Sequence, residues 1–86
     1  MKFLVIGLGS MGKRRIRNLH ALGYTDVAGF DPRADRRTDA VEKYAVTVYA
    51  DFAQALKGFQ PDALVTSTSP EHHMIYAWDA FERGIP

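Results

Sequence analysis

FLVIGLGSMG, residues 3–12, is the stretch that decides the fold. Its first four residues are continuously apolar, as in a strand that is buried on both faces of a sheet. The glycines then follow in the order Gly-x-Gly-x-x-Gly, and a helical pattern runs from Ser10 to Leu22 with Gly23 at the expected C-terminal stop. The stretch therefore predicts a strand, a tight turn and a helix in direct succession.

The rest of the chain repeats this alternation of strand and helix. Strands are expected at residues 2–6, 26–30, 46–49 and 63–67. Helices are expected at residues 10–22, 34–44 and 52–56, the last of these stopped by Gly58, and from residue 71 onward. Strands that alternate with helices form β-α-β units. We therefore predict an α/β fold with a doubly wound parallel sheet of about four strands, in the order 3-2-1-4, and helices on both faces.

Each glycine of the turn has a distinct role in such a fold. Gly7 permits the tight turn after the strand, Gly9 lets the backbone approach a pyrophosphate, and Gly12 lets the helix pack closely on the strand. The free N–H groups and the positive dipole end of the helix favour phosphate. Asp31 ends the second strand nineteen residues after Gly12, where an acidic residue bonds an adenosine ribose. The pattern predicts a Rossmann-type, dinucleotide-binding fold rather than a purely structural glycine turn.

Asp31 also bears on the choice of cofactor. A carboxylate at this position accepts hydrogen bonds from both ribose hydroxyls and repels a 2′-phosphate, which favours NAD over NADP. Arg33, followed by Arg36 and Arg37, could instead accommodate that phosphate, or these arginines could be the solvated start of a helix. We predict that NAD is preferred and that NADP is possible.

The first helix carries a cluster of cations at residues 13–15 and 17. On a helical projection Lys13, Arg14 and Arg17 point to solvent, whereas Arg15 falls inside the apolar stripe, where it would snorkel along the sheet or bond a backbone carbonyl or the Asp31 loop. The apolar stripe consists of Met11, Gly12, Ile16, Leu19 and Leu22. A phosphate or nucleic-acid site at the cations is an alternative, although no aromatic residues interleave with them.

Hydroxyl-bearing residues follow the fourth strand. In the order 3-2-1-4, the first and fourth strands flank the point where ligands bind outside the carboxyl ends of the strands. Ser67 and Thr68 would therefore lie along the cofactor, and Ser69 is expected to cap the last helix. His72 and His73 point about 100° apart on a helix, so they do not suit one metal ion, and we expect His73 to pack or cap rather than to catalyse.

Composition excludes several other classes of protein. The 86 residues are 47% hydrophobic and 24% charged, with a net charge of +1, as in an ordinary globular domain. The sequence has no cysteine, so neither disulfides nor thiolate chemistry is available. No apolar run approaches the roughly 20 residues of a membrane span, and residues 3–6 do not lead into a signal-peptide cleavage site. We expect a soluble, cytoplasmic protein that binds neither membranes nor nucleic acid.

Three blocks of sequence make the chain similar to the glucose–fructose oxidoreductase, inositol dehydrogenase and MocA-type family. The blocks are FLVIGLGSMGKRRIRNL, FDPR and DALVTSTSPEHHMIYAWDAFERGIP, at residues 3–19, 30–33 and 62–86. The resemblance implies a Rossmann domain that binds NAD or NADP, joined to a C-terminal domain that holds a sugar, polyol or nucleotide-sugar for hydride transfer. Arg15 stands where the family often has histidine.

The resemblance also assigns residues to the cofactor. It places Gly7, Gly9 and Gly12 at the diphosphate, with Ser10 and Met11 in the same turn, and Asp31 at the adenosine ribose with Arg33 beside it. It places Thr68 and Pro70, preceded by Ser67, along the cofactor after the fourth strand, and His73 matches a histidine common at the start of the following helix.

The family continues beyond this point into a fifth strand and a glutamate-lysine-proline motif, whose lysine is the usual catalytic acid–base group. We therefore expect residues 1–86 to be an incomplete N-terminal domain that lacks the substrate domain and is inactive by itself. A stand-alone dinucleotide-binding or sensing module is the alternative. Because the fourth strand would then lie at an edge of the sheet, association of two copies through that edge is also expected.

Overall fold

The computed structural model describes residues 1–66, and it shows strands and helices in strict alternation. They are β1 (Phe3–Ile6), α1 (Ser10–Ala21), β2 (Val27–Phe30), α2 (Ala34–Tyr44), β3 (Thr47–Tyr49), α3 (Phe52–Phe59) and β4 (Ala63–Thr66). Each strand and helix expected within these residues is present. The helix expected from residue 71 lies outside the described residues.

The four strands form one parallel sheet in the order β3-β2-β1-β4. Ile6 at the end of β1 lies opposite Phe30 of β2 and Thr66 of β4, so the carboxyl ends of these three strands are level. The predicted α/β sheet and its strand order are confirmed. Because β1 is central, the loop that follows it emerges in the middle of the carboxyl edge.

Two hydrophobic clusters, one on each face of the sheet, hold the helices in place. Successive residues of β1 alternate between the faces, so Leu4 and Ile6 pack on one side and Val5 on the other. The first cluster, with α3, contains Leu4, Ile6, Ala28, Phe30, Phe52, Ala55 and Leu56. The second, with α1 and α2, contains Val5, Leu8, Ile16, Val27, Ala40 and Val46. The sheet is therefore covered by helices on both faces, as predicted.

The end of α3 differs from the prediction. Gly58 does not stop the helix, which continues to Phe59 and ends at Gln60, a residue in the left-handed region with φ of 53°. Phe59 packs against the first hydrophobic cluster, and burying aromatic surface offsets the cost of about 1 kcal/mol for a glycine inside a helix. In contrast, Gly23 has φ of +94° after α1, which agrees with its predicted role as a stop.

The buried face of α1 is narrower than the sequence pattern suggested. Gly12 and Ile16 are buried, but Met11 and Leu22, at the two ends of the helix, are 51% and 75% exposed. Arg15 is also exposed and has no hydrogen bond or ion pair within residues 1–66, so its predicted place in the apolar stripe was wrong.

Lys13 was predicted to point to solvent, and this too was wrong. It is half-buried and forms an ion pair with Asp39, which brings a carboxylate of α2 against α1.

Within residues 1–66, no helix has the length and apolarity needed to cross a membrane.

Candidate functional site

The glycine-rich turn lies at the carboxyl edge of the sheet, between β1 and α1. Gly7 has φ of +94°, and its N–H donates a hydrogen bond to the Phe30 carbonyl oxygen at 2.8 Å. A Cβ at position 12 would lie 1.7 Å from the Gly7 carbonyl oxygen. Only glycine can therefore occupy position 12 while α1 packs this closely on the end of β1.

Leu8 anchors the turn against β2, a contact that was not predicted from the sequence. Its side chain is fully buried, and a Cβ at Gly29 of β2 would lie 2.5 Å from Leu8 Cδ2. Gly29 thus makes room for the side chain of the first variable residue in the glycine-rich turn. A glycine inside a strand is a general signal of such a close approach, and this signal was present in the sequence.

Asp31 joins the glycine-rich turn to the loop between β2 and α2. Its side chain is buried, with Oδ2 accepting a hydrogen bond from the Leu8 N–H at 2.8 Å and Oδ1 accepting one from the Arg33 N–H at 2.9 Å. An ionised carboxylate has about four lone-pair sites, so each oxygen can accept a further hydrogen bond. The carboxylate is held in one orientation and still has acceptor capacity.

The three arginines after Asp31 have separate roles. Arg33 points to Asp35, with Nη2 2.8 Å from Oδ2; this contact lowers the pKa of Asp35 and raises that of Arg33. Arg37 Nη1 donates to the carbonyl oxygens of Asp31 and Pro32, both at 2.9 Å. Neither of these two guanidinium groups is paired with the Asp31 carboxylate.

Arg36 is the arginine that lies over the turn. Its Nη1 is 3.6 Å from Asp31 Oδ2, and its guanidinium carbon is 3.4 Å from the position that a Cβ on Gly9 would take. Arg33 was the arginine predicted for the site, yet it reaches Asp31 with its backbone N–H, whereas Arg36 brings a positive charge next to both Asp31 and Gly9.

The first turn of α1 completes the site. Gly9 is the N-cap residue and offers no side-chain cap, and no acidic residue stands in the first turn. Backbone N–H groups at the start of a helix have no partner inside it, and together with the helix dipole they attract anions. Ser10 and Met11, which are exposed, carry two of these N–H groups at the carboxyl edge of the sheet.

A family model described as "Oxidoreductase family, NAD-binding Rossmann fold" (GFO_IDH_MocA) matches residues 1–86. The chain belongs to this family. It is an NAD-binding domain of an oxidoreductase, and the family resemblance seen in the sequence is confirmed. Comparison with individually curated proteins gives no match.

The geometry of the turn fits the nicotinamide dinucleotide of the GFO_IDH_MocA family. The backbone at Gly9, which carries no Cβ, and the N–H groups at the start of α1 suit a diphosphate, while the acceptor capacity of Asp31 suits ribose hydroxyls. No cluster of three or more acidic or histidine side chains that could hold a metal ion occurs within residues 1–66.

The structure brings seven of the predicted site residues to one edge of the sheet. They are Gly7, Gly9, Ser10, Met11, Gly12, Asp31 and Arg33. The other four, Ser67, Thr68, Pro70 and His73, lie outside the described residues. The strand that precedes them, β4, ends beside β1 at this same edge.

Proposed function

We propose that this domain binds NAD in preference to NADP. The observation that carries the proposal is the buried Asp31 carboxylate, fixed by the N–H groups of Leu8 and Arg33. Because the carboxylate cannot turn away, a 2′-phosphate placed beside it would meet a fixed negative charge, whereas two ribose hydroxyls would meet acceptors. Arg36 lies close enough to offset part of that repulsion, so binding of NADP is weakened rather than abolished.

We further propose that the parent enzyme transfers a hydride between the nicotinamide and a carbinol carbon of a sugar, polyol or nucleotide-sugar. The bound nicotinamide supplies the hydride acceptor or donor. The residues of this chain bind and orient it: the N–H groups at the start of α1 hold the diphosphate, and Asp31 holds the adenosine ribose. The proposed substrate class rests on membership of the family.

Isothermal titration calorimetry with NADH and NADPH tests the preference for NAD. We expect NADH to bind more tightly than NADPH. Replacing Asp31 with Asn should weaken NADH binding by about tenfold or more, because hydrogen bonds to a charged group are worth roughly 1.5–3 kcal/mol. The same variant should reduce the difference between the two cofactors, which a simple loss of stability would not do.

Asp26→Asn is the matched control because Asp26 is an exposed carboxylate immediately before the start of β2, at the opposite edge of the sheet. It should leave both affinities unchanged. Failure of the wild-type chain to bind either cofactor would remove the proposal, and an unchanged NADH-to-NADPH ratio in Asp31→Asn would remove the role of the carboxylate.

We also propose that the 86 residues bind cofactor without turning over substrate, since they contain no glutamate-lysine-proline motif. Incubating the chain with NAD and a panel of polyols should give no increase in NADH absorbance. Turnover of any polyol would contradict this proposal. A stand-alone binding module would also give no turnover, so this assay does not distinguish it from a domain of a larger enzyme. Genomic continuation of the reading frame into that motif separates the parent enzyme from the stand-alone module.

A further inference from the structure

A groove between α1 and α2 is lined by cationic side chains that are not part of the cofactor site. It has a volume of about 350 Å³, within the range of roughly 300–1,000 Å³ that is usual for small-molecule sites. Its lining consists of Ser10, Lys13, Arg14, Arg17, Lys43 and Tyr44. Every one of these side chains is a hydrogen-bond donor, four of them are cationic, and no carboxylate from residues 1–66 lines the groove.

Asp39 holds the two lysines in place. Its Oδ2 pairs with Lys13 and lies 3.4 Å from Lys43 Nζ, so a single carboxylate of α2 contacts cations from both helices. The hydrogen bond from Lys13 is the main reason that the pKa of Asp39 is lowered. With four cations lining the groove and one carboxylate beside it, the groove keeps an excess of positive charge.

Arg14 and Arg17 contribute most of this excess. Both are exposed, and neither has an ion pair or hydrogen bond with another residue in the described part of the chain. They are three residues apart on α1, so their side chains are neighbours on the helix surface. Two adjacent guanidinium groups can bind oxygen atoms of one phosphorylated group in the bidentate manner that arginine favours.

The charged residues of α1 are all of one sign, which is unusual for a helix that is simply exposed to solvent. Helix α1 carries four arginine and lysine residues and no acidic residue, although the whole chain has a net charge of only +1. Surface helices usually mix charges of both signs, because oppositely charged neighbours stabilise a helix and like charges destabilise it. Repulsion between Arg14 and Arg17 therefore lowers the stability of α1 slightly, and a bound anion would remove this repulsion.

We propose that the groove between α1 and α2 is a second anion site that takes a small molecule with a phosphate or polyphosphate group, apart from the dinucleotide on the glycine-rich turn. A small ligand is favoured over nucleic acid because, among residues 1–66, Tyr44 is the one aromatic side chain in the lining, and stacking on several aromatic side chains is typical of single-stranded nucleic-acid sites. The proposal of this second anion site does not depend on whether the domain prefers NAD or NADP. Only Ser10 belongs both to the groove and to the glycine-rich turn.

Calorimetric titration of the chain with inorganic tripolyphosphate, with and without saturating NADH, tests the proposal. We expect one bound tripolyphosphate in the groove. Arg14→Gln and Arg17→Gln should each weaken its binding by about fivefold, the size expected for one partly exposed ion pair. Arg15→Gln is the matched control, since Arg15 is an exposed cation of α1 outside the groove, and it should change the affinity by less than about twofold.

Three outcomes would overturn the second site. Absence of binding would do so directly. Equal weakening in Arg15→Gln would show that the anion responds to the overall charge of the helix rather than to the groove. Binding that NADH removes and that Arg14→Gln and Arg17→Gln leave unchanged would place the anion on the glycine-rich turn.

A fourth outcome concerns the class of partner. A single-stranded RNA oligonucleotide should bind no more tightly than tripolyphosphate under the same salt conditions. Tighter binding of the RNA, with an affinity that falls steeply as salt increases, would replace the small-molecule site with a nucleic-acid site.

Discussion

At position 12 the structure leaves no space for any side chain. We expect Gly12→Ala to weaken NADH binding strongly and to lower the free energy of unfolding by about 1–3 kcal/mol or more, because its Cβ would overlap the Gly7 carbonyl oxygen at 1.7 Å and push α1 away from β1. Urea denaturation and calorimetry measure the two effects.

Gly23→Ala is the comparison for this variant. Gly23 has a positive φ, but there is open space around the position that a Cβ would take. The variant should therefore lose about 1–2 kcal/mol of stability and keep its affinity for NADH. Wild-type NADH affinity in Gly12→Ala would show that α1 can shift without disturbing the site.

Among the arginines, Arg36 should control the tolerance for NADP. We expect Arg36→Met to weaken NADPH binding by about tenfold while changing NADH binding less, because it removes the charge beside Asp31 and Gly9. Arg33→Met should have the smaller effect on NADPH, since the Arg33 side chain is engaged by Asp35 and its contact with Asp31 is a backbone one. A larger effect in Arg33→Met would reverse this assignment.

At the scale of elements, α1 and α2 are joined by the ion pair of Lys13 with Asp39, and Asp39 also contacts Lys43 within α2. The pKa of Asp39 is lowered in the folded protein, so its ionised form stabilises the fold. That stabilisation is present above the unfolded-state pKa of about 3.9 and is lost as the pH falls through the lower, folded-state pKa. The contact should therefore matter at neutral pH and vanish in acid.

We expect Asp39→Asn to be less stable than the wild type at pH 7, with the difference shrinking as the pH falls below about 4. Urea denaturation over a series of pH values measures this. Glu42→Gln, which removes an exposed acidic residue from the same helix, should show little difference from the wild type at any pH. A difference for Asp39→Asn that persists in strong acid would contradict an electrostatic origin.

The elements also show how far sequence patterns reach. The periodicity of α1 and α2 and the glycine after α1 predicted their positions to within one residue. The end of α3 was not predictable in this way, because Gly58 carries a local stop signal. The helix continues since Phe59 packs against the first hydrophobic cluster, whose members include residues of β1 and β2 that are far away in the chain.

For the whole molecule, the sheet brings the loop after β1, the loop after β2 and the start of α1 to the same edge. Since the cofactor would contact residues between Gly7 and Arg36, its binding should stabilise the entire fold rather than one loop. A ligand at 100 times its Kd adds about 2.7 kcal/mol, which corresponds to a rise in Tm of roughly 10–20 °C for a domain of this size. Thermal denaturation at increasing NADH concentration measures the rise.

Asp31→Asn should show a smaller rise at the same NADH concentrations, because fewer molecules are bound. If the wild-type Tm does not change with NADH while calorimetry shows binding, the cofactor would have to bind the unfolded chain equally well, which is incompatible with a site built from separate loops.

The sequence by itself determined the alternation of strands and helices, the glycine-rich turn, the acidic residue at the end of β2 and the family. These features depend on local requirements, such as period, positive φ and hydrophobic burial, that a short stretch of residues expresses directly. Only the tertiary structure decided that Arg36 rather than Arg33 lies over the turn, that Leu8 packs against Gly29, and that Lys13 meets Asp39. Lys13 and Asp39 are 26 residues apart in the chain, and no local sequence pattern shows which side chains the folded sheet will bring together.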